Sequence, residues 1–147
     1  MGEGSDGGAI LGRIAGKTEE PRPLASSVDV LLVHGDDATS HRIAGLLRRN
    51  GYTVLDAPGG AAAREALHGG CVPRLVILDL EGVGGPERAV LAGLQAEPPC
   101  QETPFLVLSR AGAVATPGLA PAATLLVPIE AAELIDAVRR FCGTLAR

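Results

Sequence analysis

The stretch that decides the fold is "RLVILDLEGVGG", Arg74 to Gly85. It contains four consecutive large apolar residues, which is typical of a strand buried on both faces of a parallel sheet. The run ends in Asp79 and then passes into a glycine-rich segment. Because a buried carboxylate costs free energy unless a neighbouring group uses its charge, Asp79 is a candidate functional residue.

From Val28 onward the chain alternates short apolar runs with amphipathic segments. This alternation predicts right-handed crossovers and an α/β fold, a doubly wound five-stranded parallel sheet with helices on both faces. The segment "RAGAVATPGLAPA" precedes the fifth strand and contains two glycines and two prolines. Since these residues disfavour helix, we expect an irregular or shortened fourth helix.

Composition narrows the class of protein. The chain has 147 residues, of which 46% are hydrophobic and only 2% aromatic. We therefore expect one domain with a core of leucine, valine, isoleucine and alanine. The net charge of −4 disfavours a nucleic-acid partner. Residues 1–27 are rich in glycine, proline, serine and charge, which predicts a disordered or loosely docked leader before a domain over 28–147.

The cysteines and the hydropathy pattern indicate the compartment. Cys71, Cys100 and Cys142 are widely separated, so we interpret them as reduced packing residues rather than a disulfide framework or zinc site. No apolar stretch is long enough to span a bilayer. We therefore expect a soluble, cytoplasmic protein that does not act on a membrane.

Polar side chains follow three of the predicted strands. Asp36 and Asp37 come after the first, Asp79 ends the third and Ser109 ends the fourth. Because the carboxyl ends of parallel strands meet at one edge of a sheet, we expect these residues to form one site there. Asp37 is better interpreted as the cap of the next helix, since aspartate is favoured at that position. His34, beside them, is better interpreted as a packed histidine.

Four blocks of the chain resemble, in order and spacing, the receiver domain of two-component response regulators (CheY-like). They are "LLVHGDDATSHRIAGLLRRNGYTVLDAPGG", "LVILDLEGVGG", "PFLVLS" and "ATLLVPIEAAEL", and the resemblance covers residues 28–146. It implies that Asp79 accepts a phosphoryl group from a histidine kinase and that Ser109 supplies the conserved hydroxyl position of that family's site. It also implies magnesium ligands from Asp36, Asp79 and the backbone carbonyl of Glu81.

Several positions depart from the receiver pattern. Gly35 stands where the resemblance implies the first acidic residue, and Val127, followed by Pro128, stands where it implies a lysine. Thr124 replaces the usual aromatic residue, and Val83 replaces a proline. Magnesium prefers several oxygen ligands, so a site with two carboxylates should hold the ion weakly.

The missing lysine is harder to replace than the missing acid. Lys17 is the only lysine and lies in the predicted leader. Loss of one preorganised donor at a catalytic site costs roughly 2–4 kcal/mol, so the response to phosphate should suffer more than the fold. Arg110, directly after Ser109, is the candidate substitute.

Three functions stay open on the sequence. The first is a degenerate receiver, or pseudo-receiver, which is not an enzyme and acts through protein–protein contact with weak or absent phosphorylation control. The second is a working phosphoacceptor of a phosphorelay that uses Asp79 and magnesium. The third is a small flavodoxin-like cofactor binder, disfavoured because "HGDDATS" lacks a phosphate-cradling character. The resemblance implies a histidine kinase or a separate output protein as partner, and it leaves a homodimer open.

Overall fold

The computed structural model describes residues 26–35, 37–80, 85–110 and 116–142. Its elements in chain order are β1 (Ser26–His34), α1 (Asp37–Arg49), β2 (Val54–Pro58), α2 (Gly60–His68), β3 (Cys71–Asp79), α3 (Gly85–Gly93), β4 (Phe105–Arg110), β5 (Ala123–Val127) and α4 (Ala131–Cys142). Two short 3-10 helices, Leu94–Ala96 and Pro98–Cys100, connect α3 to β4. Residues 1–25 of the predicted leader lie outside the described residues, so the leader stays a prediction.

All five strands form one parallel sheet in the order β2-β1-β3-β4-β5. The chain moves outward from β1 to β2, returns past β1 to β3, and continues through β4 to β5. The direction of winding therefore reverses between β1 and β3, which is the switch point where such sheets bind ligands. This architecture confirms the predicted doubly wound fold.

The core consists of two apolar layers, one on each face of the sheet. On one face α1 and α4 cover alternate residues of the strands, among them Val30, Leu32, Leu75 and Ile77. On the other face α2 and α3 cover the intervening residues, among them Leu31, Val33, Val76 and Leu78. Successive side chains of a strand point to opposite faces, so continuous apolar runs are needed where both faces are buried. This requirement explains the continuous apolar runs Val30–Val33 of β1 and Leu75–Leu78 of β3.

A close approach of α2 and α3 explains the glycines at the start of α2. The backbone N–H of Gly60 donates to Oε2 of Glu87 at 2.6 Å, so a side chain of α3 satisfies the first turn of α2. A Cβ atom on Gly60 would lie 2.5 Å from Cγ1 of Val90, which leaves no room for a side chain. Gly59 before it has a φ of 102°, a backbone conformation that favours glycine.

Two strands begin earlier than predicted. β1 begins at Ser26 rather than Val28, so Ser26 and Ser27 of the predicted leader belong to the sheet. β3 begins at Cys71 rather than Arg74, although Pro73 lacks an N–H for the ladder. Pairing between β3 and β4 begins only at Val76, so Pro73 lies where β3 pairs with β1 alone. The link to β5 agrees with the expected irregular segment, since residues 116–122 contain no helix. Residues 111–115 of that link lie outside the described residues.

The amino end of the sheet contains a buried polar cluster centred on Asp29. The carboxylate of Asp29 accepts a hydrogen bond from the Thr53 N–H at 2.8 Å, and its own N–H donates to the Thr53 hydroxyl at 2.8 Å. Arg74 lies 3.3 Å from the same carboxylate and also donates to the carbonyl of Cys142. These contacts join β1, the start of β2, β3 and the end of α4.

Candidate functional site

The candidate site lies at the carboxyl edge of the sheet, where β1, β3, β4 and β5 end in His34, Asp79, Arg110 and Val127. Three of these four residues are polar or charged, although four consecutive apolar residues precede His34 in β1 and Asp79 in β3. The reversal of winding between β1 and β3 marks the position at which sheets of this kind bind ligands.

Asp79 is fully buried, with 0% of its surface exposed. It pairs in register with Leu108 of β4, and the next N–H, that of Leu80, donates to the Leu108 carbonyl at 3.1 Å. Ser109, the residue after Leu108, is also buried. The two residues predicted as phosphoacceptor and hydroxyl donor therefore lie at the ends of neighbouring strands, and their chemical roles stay predictions.

The structure describes only one of the three predicted magnesium ligands. Asp36 and Glu81 lie outside the described residues, which leaves Asp79 as the predicted ligand whose side chain is described. Among the described residues no group of three or more histidine, cysteine, aspartate or glutamate side chains could hold a metal ion. Since magnesium needs several oxygen ligands, the described residues alone do not form its site, and we derive no chemical step through it.

A cavity of about 400 Å³ opens beside the end of β5. Val127 is joined to Pro128 by a cis peptide bond, and both residues line the cavity together with Ile129. At the position for which the resemblance implies a lysine, the cavity is therefore lined by the hydrocarbon side chain of Val127. The cavity is completed by Thr39 and Arg42 of α1 and by Arg110 of β4.

The two arginines reach this cavity from different elements. Arg110, the predicted lysine substitute, pairs in register with Val127 and is exposed. It therefore lies beside the position that the lysine would occupy. Nη2 of Arg42 lies 3.5 Å from the carbonyl oxygen of Ile129, a long hydrogen bond that directs the guanidinium across the cavity wall.

The sequence interpretation missed Arg42 and Thr39. A helix that follows the first strand of such a sheet starts at the carboxyl edge, so residues in its first turns lie near the site. Thr39 and Arg42 are three positions apart and so share one face of α1. That spacing was the available signal, but it does not show which of the several faces of α1 meets the loop after β5.

A second unpredicted contact involves His34. Its imidazole is buried, as expected for a packed histidine, and Nε2 lies 2.7 Å from Oδ1 of Asp56 in β2. This pair joins the ends of β1 and β2, next to the switch point but on the side away from β4. We assign it a structural role in holding the two strand ends together.

The three cysteines are buried and free, which confirms their interpretation as packing residues. Burial raises the pKa of Cys71, and it raises the pKa of Cys100 and of Cys142 to about 11. Because the thiolate is the nucleophilic and metal-binding form, these thiols are unsuited to chemistry at neutral pH. They take no part in the candidate site.

The fold of this chain is similar to the folds of several solved structures. The receiver domain of NtrX from Brucella abortus is 27% identical, with a TM-score of 0.66 over 80% of this chain and 100% of that one. The magnesium-bound receiver domain of the sensor histidine kinase PA1611 from Pseudomonas aeruginosa PAO1 is 18% identical, with a TM-score of 0.67 over 80% of this chain and 99% of that one. The N-terminal domain of a response regulator/sensory box/GGDEF protein from Carboxydothermus hydrogenoformans is 25% identical, with a TM-score of 0.66 over 78% and 93% of the two chains.

The chain thus has the fold of the CheY-like receiver domains of response regulators, as the resemblance of its sequence blocks implied. Neither a protein-family model nor a curated protein matches the sequence. In the part of the chain that the structure describes, every helix is too short or too polar to cross a bilayer.

Proposed function

We propose that this protein is an atypical receiver module of bacterial two-component signalling that works by protein–protein contact. It has no enzymatic activity of its own, and phosphorylation of Asp79 controls it weakly or not at all. Its partner is a histidine kinase or a separate output protein, and it works in the cytoplasm. The fold and the retained Asp79 support a signalling role, and the surroundings of Val127 support the loss of control.

The observation that carries this proposal is the contrast between Asp79 and Val127. Asp79 is buried at the end of β3, while the end of β5 presents a valine to the cavity. A phosphoryl group on an aspartate carries charge on three oxygens, and its transfer depends on cations held around them. A side chain of hydrocarbon at the end of β5 offers no such charge.

Arg110 compensates for this loss only in part. It is exposed, and an exposed ion pair contributes up to about 1 kcal/mol because water screens the charge and the long side chain loses freedom. A preorganised donor contributes roughly 2.7–4 kcal/mol in a dry site. We therefore expect Asp79 to react slowly and the structure to respond weakly.

The link before β5 supports the same conclusion. Residues 116–122 form turns rather than a helix, and Thr124 and Leu126 on the outer side of β5 are exposed. A packed helix at this point would give a change at the site a rigid element to move. The described part of the link contains no such helix, so phosphorylation of Asp79 would move little structure beyond the site itself.

Intact mass spectrometry after incubation with acetyl phosphate and magnesium tests the proposal. We expect little phosphorylated protein and no change in amide NMR signals beyond the residues next to Asp79. The Asp79→Asn variant identifies any label at that residue, and Asp136→Asn, an exposed aspartate of α4, is the matched control that should keep it. Rapid, complete phosphorylation with widespread shifts in the NMR spectrum would contradict weak control.

The Val127→Lys variant tests whether the missing positive charge at the end of β5 is the reason for weak phosphorylation. The cavity has room for the longer side chain, and the added ammonium group would lie at the end of β5. We expect phosphorylation of Asp79 to become roughly tenfold faster, a part of the effect of one preorganised donor. Val127→Met, which is longer but uncharged, is the control, and an equal gain with methionine would show that charge is not the missing element.

A working phosphoacceptor is the second candidate function, favoured by the neighbouring positions of Asp79, Ser109 and Arg110. In that case wild-type protein should label well with magnesium, and Arg110→Gln should slow labelling strongly. Under the first proposal labelling is already slow, and the same substitution should change it little. Removal of magnesium with a chelator should abolish labelling in either case, since the ion would have to offset the phosphoryl charge.

A further inference from the structure

The carboxyl-terminal ends of α1 and α4 carry two pairs of arginines at the amino edge of the sheet. Arg48 and Arg49 lie in the last turn of α1, and Arg139 and Arg140 lie in the last turn of α4. Both helices cover the same face of the sheet, and both run from its carboxyl edge back to its amino edge. All four side chains are exposed, and we call these four residues the arginine cluster.

Contacts of the two helices show that the two pairs lie beside the same gap. Nη2 of Arg42 in α1 is 3.5 Å from the carbonyl oxygen of Ile129, just before α4. Arg49 follows Arg42 by about two helical turns, so it lies on the same side of α1. Arg139 reaches this gap from α4, since burial raises the pKa of Tyr52, just after α1, and the nearby charge of Arg139 opposes that rise.

Two of the arginines are held in place without losing most of their donors. Nη2 of Arg48 donates to the Val54 carbonyl at 3.0 Å, and the guanidinium of Arg140 lies 5.1 Å from the ring centroid of Phe141. An arginine carries five N–H donors, and a contact with an aromatic ring uses the face of the guanidinium rather than its edge. Both side chains therefore keep donors for a further acceptor.

The helix dipole accounts for a single arginine at each helix end but not for two neighbouring pairs. A cation in the last turn of a helix is favoured, whereas like charges on neighbouring elements repel each other. In the part of the chain that the structure describes, one carboxylate pairs with the cluster, and Oδ1 of Asp136 is 3.8 Å from Nη1 of Arg139. Because this contact is long and exposed, it offsets little of the repulsion.

We propose that the arginine cluster docks an acidic segment of the partner protein, with carboxylates of that segment bound by guanidinium groups of both helices. Arginine suits this class of partner because its planar fork of donors matches the two oxygens of a carboxylate. The inference rests on the proposed function, a module that works by protein–protein contact. It assigns docking to the edge of the sheet opposite Asp79, so binding does not require phosphorylation.

Two other polyanions fit the cluster less well than a short acidic segment. A helix that binds a membrane surface also inserts large apolar side chains, and the exposed large apolar residues of the described chain, Val72 and Leu126, lie on β3 and β5 instead. A nucleic acid extends beyond the cluster, where the net charge of −4 repels it. A short segment meets the arginines and avoids most of that repulsion.

The test is an NMR titration of the full chain at low salt with a capped peptide of six glutamates, and with a peptide of six glutamines as reference. We expect the glutamate peptide to shift amides at the ends of α1 and α4, and high salt to abolish binding because exposed charges are screened. Arg49→Gln and Arg139→Gln should each weaken binding roughly threefold, the effect of one exposed charge contact. Equal binding of the two peptides would overturn the inference.

Two substitutions in α2, on the opposite face of the sheet, are matched controls. Arg64→Gln removes the same charge from a side chain that is 41% exposed, and it should leave the affinity unchanged. An equal loss with Arg64→Gln would show general attraction and overturn the cluster. Asp136→Asn should strengthen binding, because it removes a carboxylate that competes for Arg139, whereas Glu65→Gln, also at an exposed carboxylate, should not.

Three further arms identify the occupant. Vesicles of phosphatidylglycerol and a short DNA duplex should bind less tightly than the glutamate peptide, and tighter binding of either would assign the cluster to that class instead. The variant with Glu19→Gln and Glu20→Gln should bind the peptide as the wild type does. A clear gain in its affinity would make the chain's own acidic residues the occupant and overturn docking of a partner.

The two proposals can fail separately. Absence of peptide binding would overturn the arginine cluster and leave weak phosphorylation by acetyl phosphate standing. Rapid phosphorylation of Asp79 with widespread shifts would contradict weak control and leave peptide binding standing.

Discussion

Each end of the sheet buries one carboxylate, that of Asp29 at the amino end and that of Asp79 at the carboxyl end. At the amino end Asp29 is surrounded by donors from Thr53 and Arg74, which come from two other parts of the chain. At the carboxyl end Asp79 is just as buried, and the predicted partners of its chemistry come from loops and from the ends of strands. The described contacts give Asp29 a structural role, whereas a functional role of Asp79 stays a prediction.

The largest expected effect comes from removing Asp29. Asp29→Ala leaves the Thr53 N–H without its acceptor and Arg74 without its carboxylate. The free energy of unfolding should fall by about 2–3 kcal/mol, measured by urea denaturation. Asp136→Ala is the control, since its ion pair with Arg139 is exposed and long at 3.8 Å, and it should change stability by less than about 0.5 kcal/mol. Equal effects of the two variants would remove the contrast between the ends.

A smaller effect of opposite sign is expected at the carboxyl end. Asp79→Asn keeps the shape of the side chain and removes a charge from a fully buried position. The free energy of unfolding should rise by about 1 kcal/mol, because a charge is costly to keep away from water. A loss of 2 kcal/mol or more, measured in the same way, would show that Asp79 is structural like Asp29.

The smallest effect should be the dependence on pH of a second cluster near the amino end. A hydrogen bond from His68 at 2.8 Å, helped by Arg64 at 3.1 Å, lowers the pKa of Glu97. A carboxyl whose pKa is lower in the folded state stabilises the fold above its unfolded pKa, and this contribution is lost as pH falls through the folded pKa. Wild-type protein should therefore lose more stability than Glu97→Gln between neutral and acidic pH.

Thermal unfolding at a series of pH values measures this difference. The two proteins should converge at the lowest pH, where Glu97 is protonated in both the folded and the unfolded states. Parallel curves for the two proteins would show that the contacts of Glu97 contribute nothing to stability, and that stabilising charge at the amino end is confined to Asp29.

Much of the fold could be predicted from local patterns. The continuous apolar runs of β1 and β3 indicate strands buried on two faces, and the glycines and prolines before β5 indicate an irregular link. The start of β3 could not be predicted, because whether Pro73 is tolerated depends on where β4 begins to pair. The contact of Glu87 with the first turn of α2 was likewise invisible, since the two residues lie 27 positions apart.

The sequence predicted some residues of the candidate site and missed others. Asp79 and Ser109 could be placed at one edge because the ends of parallel strands must meet there. Arg42 was missed because its position on the cavity depends on how α1 rotates against the loop after β5. The His34 and Asp56 pair was missed for a similar reason, since pairing of β1 with β2 alone brings those side chains together.

The sequence by itself determined the order of strands and helices, the two-sided burial of the central strands and the edge at which the acidic and hydroxyl residues gather. These follow from the period of apolar residues and from the rule that parallel strands need crossovers. Only the tertiary structure decided which distant side chains touch. Contacts such as those of Arg42 with Ile129 and of Asp29 with Arg74 depend on helix rotation and strand register, which no local pattern specifies.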